Sequence, residues 1–195
     1  TVKPSAGSSR TPTVPEQPTT TTRRPTSSTI RDSVQLTDPA AVHGIIASTG
    51  FFHDFEVDVA VELVQERISR GLASEYHFLF ADLESRPIGY ACFGPIPCTQ
   101  GSFDLYWIAV DAAHQGSGLG RRLMDEAERA MLAGVPGADG RLLPPARRVY
   151  IETSSQPRYA PTWRFYERCG YTIEARLKDY YAAGDDKLIY VKACS

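Results

Sequence analysis

The chain contains 195 residues, with 21 Lys and Arg against 23 Asp and Glu and 42% apolar residues, so it has room for a single domain of ordinary size. Its net charge of −2 gives no general attraction for phosphate backbones, which argues against a nucleic-acid partner. No segment approaches the ~18 consecutive apolar residues of a membrane span, and the four cysteines include no Cys-x-x-Cys pair. The composition therefore predicts a cytoplasmic protein with no membrane segment, disulfide framework or zinc site.

The first 29 residues differ in composition from the rest of the chain. They include nine Thr, five Ser and five Pro, with only three apolar residues. Such a segment cannot bury enough apolar surface to offset the entropy that ordering would cost. We therefore predict a disordered tail over residues 1–29 and one folded domain over residues 30–195.

Apolar periodicity and turn residues predict alternating strands and helices from residue 30 onward. A short strand (residues 30–36) is followed by two helices (38–48, with Asp38 as N-cap, and 56–69), a hairpin (76–81 and 87–93) and a strand (103–110). A helix (118–133), a loop rich in Gly and Pro (134–146), a strand (149–153), a short helix (162–169) and a hairpin (171–177 and 187–192) complete the domain. This order predicts an α/β fold of three layers, with a mixed sheet of about seven strands and four flanking helices.

The most informative segment joins the strand that ends at Val110 to the helix that follows it. A glycine-rich turn at such a junction directs several backbone N–H groups toward one point, where the helix dipole also favours an anion. Glycine at positions 116, 118 and 120 removes the Cβ atoms that would keep an anion at a distance, and Arg121 adds positive charge at the rim. The segment therefore predicts a phosphate or pyrophosphate site.

Two common phosphate-binding motifs do not fit this segment. The dinucleotide fingerprint Gly-x-Gly-x-x-Gly, started at Gly116, requires glycine at position 121, which is Arg121. The phosphate-binding loop of ATPases requires Gly-x-x-x-x-Gly-Lys-Ser/Thr, which the sequence lacks.

The sequence Gln115-Gly-Ser-Gly-Leu-Gly120 instead resembles the acetyl-coenzyme A motif of the GCN5-related N-acetyltransferase (GNAT) superfamily, Gln/Arg-x-x-Gly-x-Gly/Ala. A second segment, Phe165-Tyr-Glu-Arg-Cys-Gly-Tyr171, is similar to the aromatic-Tyr-Glu-x-x-Gly-aromatic signature found downstream in that family. Two motifs in the correct order are far more specific than one. The resemblance covers residues 30–195, and the loop over residues 134–146 is its main departure.

The resemblance implies a GNAT-like fold whose sheet is splayed between the fourth and fifth strands. It implies acetyl-CoA as co-substrate, with the pantetheine arm in the splay and paired with main chain near Ile108 and Val110. The coenzyme-binding residues that it implies are Ile108, Ala109, Val110, Gln115, Gly116, Ser117, Gly118, Leu119, Gly120 and Arg121.

Two carboxylates are candidates for the general base. An amine acceptor with a pKa of ~10.4 is almost wholly protonated at neutral pH, so a carboxylate must help to remove its proton. Glu152 resembles the glutamate of some N-terminal amine acetyltransferases, and Asp104 stands where histone-type members carry an acidic base. Strand alternation places Asp104 on the face of Tyr106 and Ile108, where it is equally suited to a purely structural role. We rank Glu152 ahead of Asp104.

Tyr166 is the candidate general acid, because the second motif places it near the sulfur of the thioester and its ordinary pKa of ~10 keeps it protonated. Packing as a core aromatic is its alternative role. The oxyanion would be held by a main-chain N–H near Ile108 or Val110. The four histidines lack the spacing of metal ligands, so no metal is predicted.

The resulting hypothesis is an N-acetyltransferase that transfers the acetyl group of acetyl-CoA directly to a primary amine in a ternary complex. The acceptor is left open among small amines, amino acids, antibiotics and protein N-termini. The expected partners include no nucleic acid and no membrane, and a homodimer is possible because dimers are common in the family. The alternatives are a non-catalytic CoA-binding sensor or adaptor and a protein-interaction module without CoA binding.

Overall fold

The computed structural model describes residues 28–194 of the chain. Within these residues the strands are β1 (Thr29–Arg31), β2 (His77–Leu83), β3 (Arg86–Pro95), β4 (Ser102–Val110), β5 (Arg148–Ser154), β6 (Thr172–Ala182) and β7 (Asp185–Ala193). The α-helices are α1 (Asp38–Thr49), α2 (Asp54–Arg70), α3 (Leu119–Ala133) and α4 (Ala160–Arg168). Residues 1–27 of the predicted tail lie outside the described residues, and Thr29 is the first residue of β1.

The strands form one sheet in the order β1-β2-β3-β4-β5-β7-β6. Every neighbouring pair is antiparallel except β4 and β5, which are parallel. A parallel pair needs a long crossover connection, and the segment that contains α3 supplies it. The predicted α/β fold, with a mixed seven-stranded sheet and four helices, is confirmed.

Helices cover both faces of the sheet and produce three layers. Leu123 of α3 and Tyr166 of α4 belong to the apolar core on one face. Val42 of α1 and Val64 of α2 belong to the core on the other face. None of the helices formed by residues 28–194 is both long and apolar enough to cross a membrane.

Strand β1 is shorter than predicted because the chain turns toward α1 directly after Arg31. The Arg31 guanidinium pairs with the carboxylates of Asp38 (2.6 Å) and Asp82 (2.8 Å). Asp38 also accepts a hydrogen bond from the backbone amide of Gln35 (2.7 Å), which fixes the turn. Asp38 is consequently the first residue of α1, and Thr37 occupies the N-cap position that was predicted for Asp38.

The sheet opens between β4 and β5. These strands pair only at their first residues, where Ser102, Phe103 and Asp104 lie opposite residues 148–150. Beyond Asp104, β4 stays paired with β3 alone, and β5 stays paired with β7 alone. The predicted splay between the fourth and fifth strands is confirmed, and we call the gap the split; it is closed at Asp104 and open toward Val110.

A bulge in β4 reverses its alternation just above the closed end of the split. Leu105 pairs with Phe93 and Trp107 pairs with Cys92, so Tyr106 is an extra residue without a partner in β3. Ile108 consequently packs on the core beneath α3, whereas Trp107 packs on the core beneath α1 and α2. The prediction that Asp104 shares a face with Ile108 is therefore wrong, because simple alternation does not survive the bulge.

Candidate active site

The glycine-rich turn between β4 and α3 presents open backbone at the wide end of the split. Gly116 and Gly118 have φ angles of +73° and +85°, a region that favours glycine. A Cβ atom built on either residue would meet no atom within 4 Å. The space above the turn is therefore free for a ligand.

The backbone amides of this turn are available to such a ligand. The first hydrogen bond inside α3 runs from the amide of Arg122 to the carbonyl of Gly118 (3.1 Å), so the amides of residues 119–121 have no partner within the helix. Across the described part of the chain, no side chain and no loop carbonyl accepts a hydrogen bond from the amides of residues 116–121. Free amides at the positive end of a helix dipole suit an anion such as a pyrophosphate.

Two polar side chains of the turn hold its own backbone in place. Gln115 Nε2 donates to the carbonyl oxygen of Val110 (3.0 Å), and Ser117 Oγ donates to the carbonyl oxygen of His114 (2.6 Å). Both side chains therefore shape the turn, and the backbone is left to contact a ligand.

The predicted coenzyme residues in the first turn of α3 have different environments. The Leu119 side chain is buried in the core, so its contribution to a ligand is limited to its backbone. A Cβ atom at Gly120 would lie 3.6 Å from Phe165, an ordinary contact distance, so Gly120 faces α4 and not the open space above the turn. Arg121 Nε pairs with Asp125 (2.7 Å), and Arg121 Nη1 donates to a carbonyl oxygen at the end of α4 (3.0 Å). The Arg121 charge thus stays at the rim while its side chain ties the two helices together.

The last three residues of β4, Ile108, Ala109 and Val110, line the split beyond its closed end. They pair with β3 on one side and have no partner in β5 on the other. The main-chain groups of β4 on the β5 side are therefore available to an extended ligand that runs down the split from the glycine-rich turn.

Asp104 and Glu152 meet at the closed end of the split, on the sheet face opposite α3 and α4. They line one pocket with a volume of about 330 Å³, which we call the acceptor-side pocket. Its other lining residues are Ile96, Tyr150, Glu174, Ala175, Ile189 and Val191. Asp104 lies about 20 Å of extended strand from Val110, at ~3.3 Å per residue, so the two ends of the split are well separated.

Asp104 is a half-buried carboxylate of this pocket whose pKa is raised. Its burial raises the pKa to about 6, the nearby negative charge of Glu152 acts in the same direction, and Lys187 opposes both. Among residues 28–194, no side chain or backbone group forms a hydrogen bond or ion pair with its carboxylate. Asp104 is therefore a carboxylate that changes its protonation state close to neutral pH.

Glu152 is engaged by a lysine. Lys187 Nζ lies 2.5 Å from Glu152 Oε2, and the Lys187 side chain is only 9% exposed. The same ammonium group lies 3.8 Å from the centre of the Tyr180 ring, a cation–π contact that holds it over Glu152. One oxygen of Glu152 thus forms an ion pair with Lys187.

Tyr166 lies inside the core on the α3 and α4 side of the split. It is 7% exposed, and its ring packs against those of Phe165, Tyr171 and Tyr190, with centroids 5.6 to 6.4 Å apart. Burial raises the pKa of its phenol well above the ordinary value, so the group is protonated throughout the physiological range. This environment is compatible both with the predicted general acid and with a packed aromatic residue.

In the part of the chain that the structure describes, no three His, Cys, Asp or Glu side chains are grouped as a metal site would require. His53 contacts Arg158 (3.3 Å), and His77 stacks on Phe93. Both histidines therefore contact side chains that are not metal ligands.

The sequence reasoning missed Lys187, Tyr150 and the aliphatic lining of the acceptor-side pocket. Lys187 reaches Glu152 because β5 and β7 pair with Glu152 opposite Ile189, which places Lys187 two residues along on the same face. Strand register is not visible in the sequence. Alternation places Lys187 on the same strand face as Ile189 and Val191, and a lysine beside these apolar residues was the available signal.

Comparison with known proteins identifies this architecture. The model of the acetyltransferase (GNAT) domain family matches residues 74–173. A solved structure of a GNAT-family protein from Desulfovibrio desulfuricans is 45% identical to this chain, has a TM-score of 0.78, and covers 86% of this chain and 99% of its own. A search of curated proteins finds no match.

Two more distant structures share the fold. The ribosomal-protein-S18-alanine N-acetyltransferase of Escherichia coli is 20% identical, with a TM-score of 0.59, and covers 86% of this chain and 94% of its own. A Salmonella typhimurium protein solved with its cofactor acetyl-CoA is 20% identical, with a TM-score of 0.60, and covers 87% of this chain and 95% of its own.

Proposed function

Since this chain belongs to the GNAT acetyltransferase family, we propose that it transfers the acetyl group of acetyl-CoA to a primary amine in a ternary complex. One observation carries the proposal: the open amides of residues 116–121 and the perturbed carboxylate of Asp104 lie at opposite ends of one split in the sheet. A coenzyme bound along the split would have its diphosphate at one end and its thioester near the other.

The residues at the wide end of the split fit acetyl-CoA. The open space over Gly116 and Gly118 admits a diphosphate to hydrogen-bond distance of the backbone. The unpaired edge of β4 offers N–H and C=O groups to the amide groups of a pantetheine arm. Acetyl-CoA supplies an activated acetyl group as a thioester, and the residues of this chain bind, orient and move protons around it.

Asp104 is the better supported general base of the two candidates. It has no ion-pair partner in the described chain, and a pKa of about 6 leaves it mostly ionised at neutral pH while keeping it a competent proton acceptor. Glu152 already shares an oxygen with Lys187, so it is better suited to hold the acceptor or a water molecule near Asp104. This assignment reverses the order that the sequence resemblance gave.

The proton balance of the transfer follows from these positions. Asp104 accepts one proton from the acceptor ammonium, directly or through water, and the freed amine forms the new C–N bond as the C–S bond breaks. As the C–N bond forms, the nitrogen loses a second proton to solvent and the amide keeps one N–H. Tyr166 would donate a proton to the departing thiolate and regain one from solvent. A main-chain N–H of β4 on the β5 side of the split would hold the oxyanion.

A thiol-release assay combined with thermal shift tests the proposal. Acetyl-CoA should raise the melting temperature by mass action, and a screen of primary amines should yield free CoA thiol only with a subset of them. Binding of acetyl-CoA without thiol release for any amine would instead support a non-catalytic CoA sensor. A failure of every CoA species to shift the melting temperature would contradict both functions.

A further inference from the structure

The acceptor-side pocket combines an apolar floor with carboxylates at its edge. The floor consists of aliphatic side chains and one aromatic ring, from Ile96, Tyr150, Ala175, Ile189 and Val191. They come from the segment after β3 and from β5, β6 and β7, so the floor is continuous across three neighbouring strands. Contact with the apolar body of a ligand would remove this surface from water, which favours binding.

The carboxylates of this pocket are not equivalent. Glu152 is paired with Lys187 (2.5 Å), and Glu174 accepts from Arg148 Nη1 through both of its oxygens (2.9 and 3.1 Å). Asp104 alone among them lacks a cationic partner within residues 28–194. The pocket therefore has one negative charge left for the ammonium group of a ligand.

Charge also decides what the pocket rejects. An acceptor with a carboxylate beside its amine would bring that negative charge close to Asp104, Glu152 and Glu174. The two nearby cations are already committed, since Lys187 is almost buried on Glu152 and Arg148 is held by Glu174. A free amino acid is therefore disfavoured relative to the same amine without its carboxylate.

The size of the pocket suits a small acceptor body. A water molecule takes about 30 Å³ in the liquid, so a volume of about 330 Å³ has room for a ligand of roughly ten to fifteen heavy atoms. That is the size of an arylalkylamine.

We infer that the acceptor is a small primary amine on an apolar body, of the arylalkylamine or alkylamine class, with its ammonium group at Asp104 and its body on the aliphatic floor. This inference rests on the proposed acetyl transfer, and it specifies the acceptor for that transfer. The ammonium at Asp104 would lie at the closed end of the split, where the proposed thioester would also lie.

The test compares matched amines in the thiol-release assay with the full chain and acetyl-CoA. We expect kcat/KM to be highest for phenethylamine and hexylamine, and at least about tenfold lower for phenylalanine, which adds only a carboxylate to the first of these. Spermidine, kanamycin and a short peptide with a free N-terminus serve as the competing classes. A higher kcat/KM for phenylalanine or for any of these three competitors than for both apolar amines would overturn the inference.

Variants of the floor provide the second readout. Ile189→Asn should raise the KM for phenethylamine about tenfold and leave the KM for acetyl-CoA unchanged. Ile173→Asn is the matched control, since Ile173 is 50% exposed on the neighbouring strand β6 and does not line the pocket. Equal KM values for phenethylamine in the two variants would also overturn the inference.

Direct binding separates this inference from the proposed function. Calorimetry of phenethylamine with the full chain, with and without CoA, reports acceptor binding even where no thiol is released. Binding that is lost in Asp104→Asn, with no turnover, would keep the inferred ligand class and remove the acetyl transfer. Turnover of other amines with no binding of phenethylamine would keep the transfer and remove the inferred class.

Discussion

The two ends of the split differ in the groups that form them. At the wide end, the binding surface consists of backbone amides over residues 116–121, and their exposure depends on two glycines with positive φ. At the closed end, the surface consists of side chains from β4, β5, β6, β7 and the segment after β3. Under the proposed function, the backbone site would recognise what all CoA thioesters share, and the side-chain site would distinguish one acceptor from another.

The two ends also differ in how their binding free energy depends on ionisable groups. The amides of the turn are preorganised by the start of α3 and need no ionisable group. The closed end depends on the balance between Asp104, Glu152 and Lys187, so it responds to pH. Substitutions at the closed end should therefore change turnover and its pH dependence, and substitutions at the wide end should change coenzyme affinity.

The largest expected effect is that of Asp104→Asn on turnover. Loss of a general base typically costs about 10²–10⁴-fold in rate, and we expect kcat/KM for the amine to fall in that range. In the wild-type protein the rate should decline as pH falls through about 6, because Asp104 becomes protonated there. The pH–rate profile of thiol release should lose this inflection in the variant. A larger loss for Glu152→Gln than for Asp104→Asn would reverse the assignment of the base.

Tyr166→Phe should have the next largest effect. The variant keeps the ring that packs against Phe165, Tyr171 and Tyr190 and removes only the proton donor, so kcat should fall roughly 10²-fold while the affinity for acetyl-CoA is retained. Tyr171→Phe is the control, because Tyr171 is a buried tyrosine of the same core whose hydroxyl contacts Met124 Sδ (3.6 Å). Single-turnover rates of acetyl transfer are measured for both variants. Equal rates in Tyr166→Phe and Tyr171→Phe would show that Tyr166 acts only in packing.

Gly118→Val tests the wide end. A β-branched residue at φ +85° displaces the backbone, and the loss of one hydrogen bond to a charged phosphate, worth about 1.5–3 kcal/mol, weakens CoA binding roughly 10- to 10²-fold. Gly140→Val is a matched control, since Gly140 has φ +79° and equally open surroundings but lies in the remote loop over residues 134–146. Calorimetric titration with CoA measures both, and equal affinities would place the coenzyme elsewhere.

The smallest expected effect is that of Lys187→Met on the pH–rate profile. Lys187 lowers the pKa of Asp104 against the opposing effects of burial and of Glu152. Removal of the lysine should therefore move the midpoint of the profile upward by a fraction of a pH unit. Lys192→Met is the comparison, because Lys192 lies on the same strand but pairs with Glu128 of α3 (2.6 Å). A downward shift in Lys187→Met would contradict this account of the closed end.

The sequence predicted the wide end of the split far better than the closed end. Gly116 and Gly118 act through the backbone next to them in the chain, so their spacing alone carried the prediction of an anion site between β4 and α3, whereas Gly120 packs beside α4. Two features of the closed end were not predicted from the sequence. The bulge at Tyr106 placed Asp104 and Ile108 on opposite faces, and the register of β5 with β7 brought Lys187 to Glu152.

The sequence by itself determined the order of strands and helices, the glycine-rich turn and the resemblance to one family, because each depends on residues close together in the chain. Only the tertiary structure decided that β4 and β5 separate after Asp104, that Asp104 is left without a cationic partner in the described chain, and that an aliphatic floor lies beside it. These features depend on strand register and on the burial of charge among residues far apart in the chain, which no local pattern specifies.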